Sequence, residues 1–137
     1  MKTYTHKVQY YETDKMGITH HSNYIRMMEE ARVDFFDSIG LRYDECEKMG
    51  IMSPVLSVNC KYKKPTSFPD EITIYTYVSE YTGFKLTVGY IFKKGETVVC
   101  EASSEHCFVS TDMKIVLLKN KYPELDQKLY SLVETKE

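Results

Sequence analysis

At 137 residues the chain is long enough to bury about two-thirds of the surface its unfolded form exposes, so one domain over 1–137 is expected. Its 42% hydrophobic and 28% charged residues suit an ordinary globular protein, and a net charge of −2 argues against a nucleic-acid binder working by bulk electrostatics. No apolar run approaches the ~20 residues that span a bilayer, and "MKTYTHKVQYYETD" has no signal-peptide core, so no membrane span and a cytoplasmic location are expected.

Residues 4 to 11, "YTHKVQYY", are β-branched and aromatic and read as a first strand. Residues 23 to about 38 read as a helix. Tyr24, Met28, Ala31 and Phe35 form its apolar stripe, and Gly40 supplies the stop. Ile25, Val33 and Phe36 lie off that stripe, so the helix is expected to be wrapped on more than one side. "RYDECEKMG", 42 to 50, suits a short second helix.

From 54 to 111 the pattern is strand. Leu56, Val58, Cys60 and Tyr62 share one parity, opposite Ser57, Asn59, Lys61 and Lys63. Ile72, Ile74 and Val78 alternate next, then Phe84, Leu86, Val88, Tyr90 and Phe92. "KKGE", 93 to 96, is a hairpin tip, and Val98, Cys100, Ala102 and Phe108 follow on one parity. One strand, one long helix and four successive strands in a meander predict an α+β fold, an antiparallel sheet curled around the helix. The tail after Pro123 suits a short amphipathic helix.

The four cysteines show no CxxC pair. They read as reduced thiols, and no metal site is expected from them. There is no GxSxG elbow and no Gly-rich phosphate loop. His106 reads as a satisfied core histidine.

The chemistry concentrates where the first strand breaks at Gly17 and the helix begins: Asp14, His20, His21, Ser22 and Asn23. Ser22 or Asn23 can cap the helix, whose free first-turn amides then suit an oxyanion. Two readings are open at Asp14. Its carboxylate can fold back to attack a carbonyl or activate a water, or it can simply close an Asx turn over Lys15 to Gly17. His21 either assists at that site or faces solvent, and His20 reads as an ordinary surface residue. Glu29 and Glu30 sit within helical reach of Arg26 and Arg32, which makes an ion-pair set their default role.

The stretch "VQYYETDKMGITHHSNYIRMMEEAR" resembles the N-terminal signature of hotdog-fold acyl-CoA thioesterases of the 4-hydroxybenzoyl-CoA thioesterase type, through Asp14, Gly17, His21, Ser22-Asn23, Tyr24 and Glu29 to Arg32. The likeness extends through "KYKKPTSFPDEITIYTYV" and covers about residues 4 to 115. It implies a long central helix wrapped by a five- or six-stranded antiparallel sheet, with protomers paired edge to edge as a homodimer or homotetramer and active sites where subunits meet. It implies acyl-CoA as substrate, no cofactor, and Asp14 as nucleophile or general base. The oxyanion is expected on the helix-start amides at His21 and Ser22, with the turn at Gly17. In another subgroup of such enzymes the carboxylate lies on the central helix, which makes Glu29 the rival acid. Lys61, Lys63, Lys64 and Lys85 are candidates for the coenzyme A phosphates. An acyl-acyl-carrier-protein thioesterase, with the carrier protein as partner, and a non-hydrolytic hotdog protein, dehydratase-like or acyl-binding, are the competing functions.

Overall fold

The computed structural model describes residues 1–134. In chain order these form β1 (Lys2–Lys7), a 3-10 turn (Tyr10–Glu12), α1 (Ser22–Ser38), α2 (Tyr43–Lys48), β2 (Ile51–Met52), β3 (Val55–Tyr62), β4 (Glu71–Tyr81), β5 (Lys85–Lys94), β6 (Thr97–Cys107), β7 (Val109–Ser110), α3 (Leu118–Lys121) and α4 (Pro123–Leu132). The main sheet is antiparallel and five-stranded, in the order β1-β4-β5-β6-β3, and β2 pairs with β7 in a separate ribbon.

Side-chain periodicity explains how α1 and the sheet meet. Tyr24, Met27, Met28, Ala31 and Phe35 recur at helical spacing, and they pack with Ile72, Ile74, Leu86, Val88, Tyr90 and Phe92, which alternate along β4 and β5. This is the expected hotdog arrangement of a long helix on an antiparallel sheet. Of the residues off the main stripe Phe36 is buried and Val33 half-buried, as cover on more than one side requires, whereas Ile25 near the helix start is exposed.

Three expectations need correction. The first strand ends at Lys7, because Gln9 and Glu12 form a capping box that winds 10–12 into a 3-10 turn and leaves Tyr10 and Tyr11 exposed. The meander is three strands, β4 to β6, not four. β3 pairs with β6 at the far edge, so residues 63–70 must cross three inter-strand spacings, roughly 14 Å, to reach β4. The alternating face of β3 is mostly outside the core: Leu56 is 54% exposed and Tyr62 48%, while Cys60 still meets α1 through Met28, Sγ to Sδ 3.6 Å, and the Tyr62 ring lies edge-on to Tyr24.

Gly89 is one glycine that the packing requires. A Cβ built there would lie 2.3 Å from Cζ of Tyr77, whose ring lies over the β5 backbone. Gly89→Ala therefore destabilises the protein by about 2 kcal/mol, because the Tyr77 ring must move. Urea unfolding checks this, and the penalty disappears in a Tyr77→Ala background.

A polar chain runs through the core beside α1. Arg32 Nη1 donates to Tyr90 Oη (3.0 Å), which lies 2.8 Å from Ser104 Oγ, itself 2.7 Å from His106 Nε2. Arginine only donates, so Tyr90 Oη accepts from Arg32, while the Tyr90 and Ser104 hydroxyls can each donate or accept along the rest of the chain. His106 Nδ1 has no hydrogen-bond partner. His106 is a core histidine, as expected, but it is only half satisfied. Burial, and then the nearby Arg32 charge, push its pKa down to about 4.

Candidate active site

The joint between β1 and α1 is built by short-range backbone chemistry. Asp14 Oδ1 accepts from the Met16 N–H (2.8 Å), and the Gly17 N–H donates to the Asp14 carbonyl (2.9 Å). Gly17 adopts φ +77°, a conformation only glycine takes cheaply. A bridge between Thr13 and Thr19 closes this loop at its base. Asp14 thus makes the Asx-type turn, and it also lines a cavity. The two readings of Asp14 are compatible.

Neither Ser22 nor Asn23 caps α1. The N-cap residue is His21, without a side-chain cap bond. Ser22 Oγ lies 2.9 Å from His20 Nδ1, and Asn23 reaches back instead, with Nδ2 donating to the Glu12 carbonyl (2.9 Å). The capping is done by His20, whose Nδ1 accepts from the Ser22 N–H (3.2 Å) and whose ring stacks on His21 at 4.3 Å. The Asn23 and Tyr24 amides donate to the carbonyls of His20 and His21. That accounts for the first-turn amides after His21, whose own N–H has no acceptor among the described residues.

A cavity of about 430 Å³ opens at this point, lined by Asp14, Met16, Ile18, Thr19, His21, Tyr24, Tyr62, Lys63, Lys64 and Pro65. Its far wall is held by Thr66, which sequence reasoning missed. Thr66 Oγ1 lies 2.7 Å from Thr19 Oγ1 and 2.9 Å from Tyr24 Oη, and its carbonyl accepts from the Thr19 N–H (2.7 Å). These bonds pin the long β3–β4 crossing to the start of α1, which brings Lys63 and Lys64 to the cavity. The signal for this was absent from periodicity, because Thr19 and Thr66 lie in irregular segments. Burial pushes the Tyr24 hydroxyl pKa up. Tyr62, raised to about 12 by burial and by Cys60, donates to the His21 carbonyl (3.3 Å).

The remaining candidates lie elsewhere. Glu29 is exposed on α1 and does not line the cavity. Glu30 reaches β1, where it accepts from Tyr4 Oη and lies 3.1 Å from His6 Nδ1, while Arg32 is buried and donates to Tyr90 Oη on β5. Lys61 is exposed on β3, and Lys85 pairs with Glu105 (2.9 Å) at the opposite end of β5 from the hairpin tip. Among the described residues no group of three or more His, Cys, Asp or Glu side chains is arranged to hold a metal ion, and no helix is long and apolar enough to cross a membrane. A second, mainly apolar cavity of about 350 Å³ lies between the C-terminal part of α1, α2 and the β2–β7 ribbon.

The thioesterase-like superfamily model matches residues 8–131. An Aquifex aeolicus (strain VF5) protein named "Putative esterase" is 38% identical over 122 residues, 89% of this chain and 94% of its own length. The Bacillus subtilis (strain 168) protein named "Putative acyl-CoA thioesterase YneP" is 34% identical over 86% of this chain and 87% of its own. Among solved structures, a DHNA-CoA thioesterase from Staphylococcus aureus superposes with a TM-score of 0.88 at 30% identity, over 94% of this chain and 87% of that one. The chain belongs to the thioesterase-like superfamily and is a hotdog-fold enzyme of the thioesterase class.

Proposed function

We propose that this enzyme hydrolyses acyl-CoA thioesters in the cavity beside Asp14. The observation that carries the reading is the convergence of a carboxylate, an uncommitted main-chain N–H and two lysines on one pocket at a helix start. The thioester carbonyl sits against the His21 amide, with the positive end of α1 behind it. The Asp14 carboxylate takes a proton from water, and the water oxygen bonds to the carbonyl carbon. The oxyanion collapses, the C–S bond breaks, and coenzyme A leaves as the thiolate, then takes up a proton. If the carboxylate attacks directly, an anhydride forms and water opens it in a second step. In both routes the Met16 amide holds the carboxylate, Gly17 closes the turn by donating to the Asp14 carbonyl, and Ser22 steadies the His20 ring that caps the helix.

Lys63 and Lys64 suit the coenzyme A phosphates as point charges. Replacing both by alanine raises KM for acyl-CoA by about tenfold with kcat little changed, and the difference shrinks at high salt. The edge strand β3, with Val55, Leu56, Val58 and Tyr62 exposed, supports pairing between protomers, since an unpaired apolar edge would aggregate. Rates on coenzyme A esters and on the same acyl groups carried by acyl carrier protein test the substrate reading. Faster turnover of the coenzyme A esters is expected, whereas turnover confined to the carrier-bound groups would transfer the reading to the carrier protein.

A further inference from the structure

Glu12 is a buried carboxylate two residues before Asp14, and both its Oε1 and its main-chain carbonyl are engaged around the joint. Its Oε1 accepts from the Gln9 N–H (2.7 Å) and lies 2.9 Å from His6 Nε2. Its main-chain carbonyl accepts from the His20 N–H (2.8 Å) and from Asn23 Nδ2 (2.9 Å). The other nitrogen of His6, Nδ1, lies 3.1 Å from Glu30 Oε1 on α1. The bonds therefore close a ring: α1 through Glu30 to His6 on β1, through Glu12 to the turn, and back to the first residues of α1.

A neutral imidazole has a single N–H, so it can satisfy one of these carboxylates and must turn a lone pair toward the other. An imidazolium donates to both. The groups around His6 fit that state. Glu12 and Glu30 flank it, Tyr4 on the same face of β1 donates to Glu30, and Asp34 further along α1 is paired with Lys2. On β4, the residue opposite His6 is Ile72, which is buried and apolar.

We propose that His6, as an imidazolium held between Glu12 and Glu30, is a positioning residue that fixes the Asp14 turn against the start of α1. The proposal rests on the reading of Asp14 as the reacting carboxylate. His6 does not line the cavity and acts on the reaction only through Glu12. Its pKa agrees in direction: burial pulls it down, but the hydrogen bonds and charges of Glu12 and Glu30 outweigh this and leave it raised above 6.5. A raised pKa means that the clamp is fully formed below pH 6.5 and is lost as pH rises through the folded-state value.

The test combines a pH profile with a structural readout. In the native protein kcat for an acyl-CoA ester falls about tenfold on the alkaline side, the size expected when a reacting group loses its placement. The midpoint of that fall matches the His6 ring titration seen by NMR, and the backbone amides of Met16 and Gly17 shift with the same midpoint. In His6→Gln the alkaline fall is absent, kcat stays near the native high-pH level, KM is little changed, and the two amides no longer titrate. Should His6→Gln fail to fold, Glu30→Gln makes the same comparison, with the ring midpoint and the alkaline limb moving together to lower pH. An unchanged alkaline limb in His6→Gln, or native amides that ignore the His6 titration, overturns the proposal. The amide titration decides the clamp even if Asp14→Asn stays active or no thioester is turned over, outcomes that would instead overturn the reading of the site.

Discussion

Asp14→Asn lowers kcat for acyl-CoA hydrolysis by at least ~10²-fold, the usual cost of removing a positioned base or nucleophile. The substitution is informative because of the local geometry. Asn keeps an Oδ1 that accepts the Met16 N–H now received by Asp14, so the Asx turn survives, as does the Gly17 conformation. Stability and KM are therefore expected to stay near native values while turnover collapses. Glu29→Gln, at an exposed helix position outside the cavity, changes kcat by less than about threefold. Steady-state kinetics on both variants with one ester decide between the two acids, since a large loss in Glu29→Gln with an active Asp14→Asn would reverse the assignment.

The second large effect concerns stability and the buried chain that ends at His106. The buried ring is held neutral, because a second proton would put a charge out of water and set two cations near each other. A group whose folded pKa is about 4, against 6.5 unfolded, binds its proton preferentially in the unfolded chain. Its contribution is thus complete above pH 6.5 and is lost as pH falls toward 4, by about 3 kcal/mol over the whole window. His6 has the opposite sign and weakens the protein as pH rises above 6.5. Urea midpoints at pH 4.5 and 7.5 check the larger effect. His106→Gln is less stable at pH 7.5 but loses markedly less on acidification than the native protein, and equal losses in the two proteins would contradict the assignment.

Much of the fold was legible because burial imposes period. The stripe from Tyr24 to Phe35 and the alternation from Ile72 to Phe92 each have one buried solution, and the hairpin at Gly95 follows from its turn residues. The misplacement of β3 has an equally physical cause. Leu56, Val58, Cys60 and Tyr62 alternate as well as any core strand, and alternation does not say whether α1 or something outside the chain covers that face. That Asp14, Gly17 and His21 meet at one joint was legible because they concentrate polar chemistry at a structural break. Thr66, His20 and Glu12 were not, because their roles come from contacts made by residues outside regular strands and α-helices, Thr66 with Thr19 and Glu12 with His6 on β1, that no spacing in the sequence encodes.

The most direct test of the central claim is product analysis of the native protein acting on acyl-CoA esters in ¹⁸O-labelled water. Hydrolysis beside Asp14 predicts free coenzyme A and carboxylic acid in equal amounts, with label from water in the acid over many turnovers. Thiol release without matching acid, or no release from short, long or aromatic esters, would contradict it.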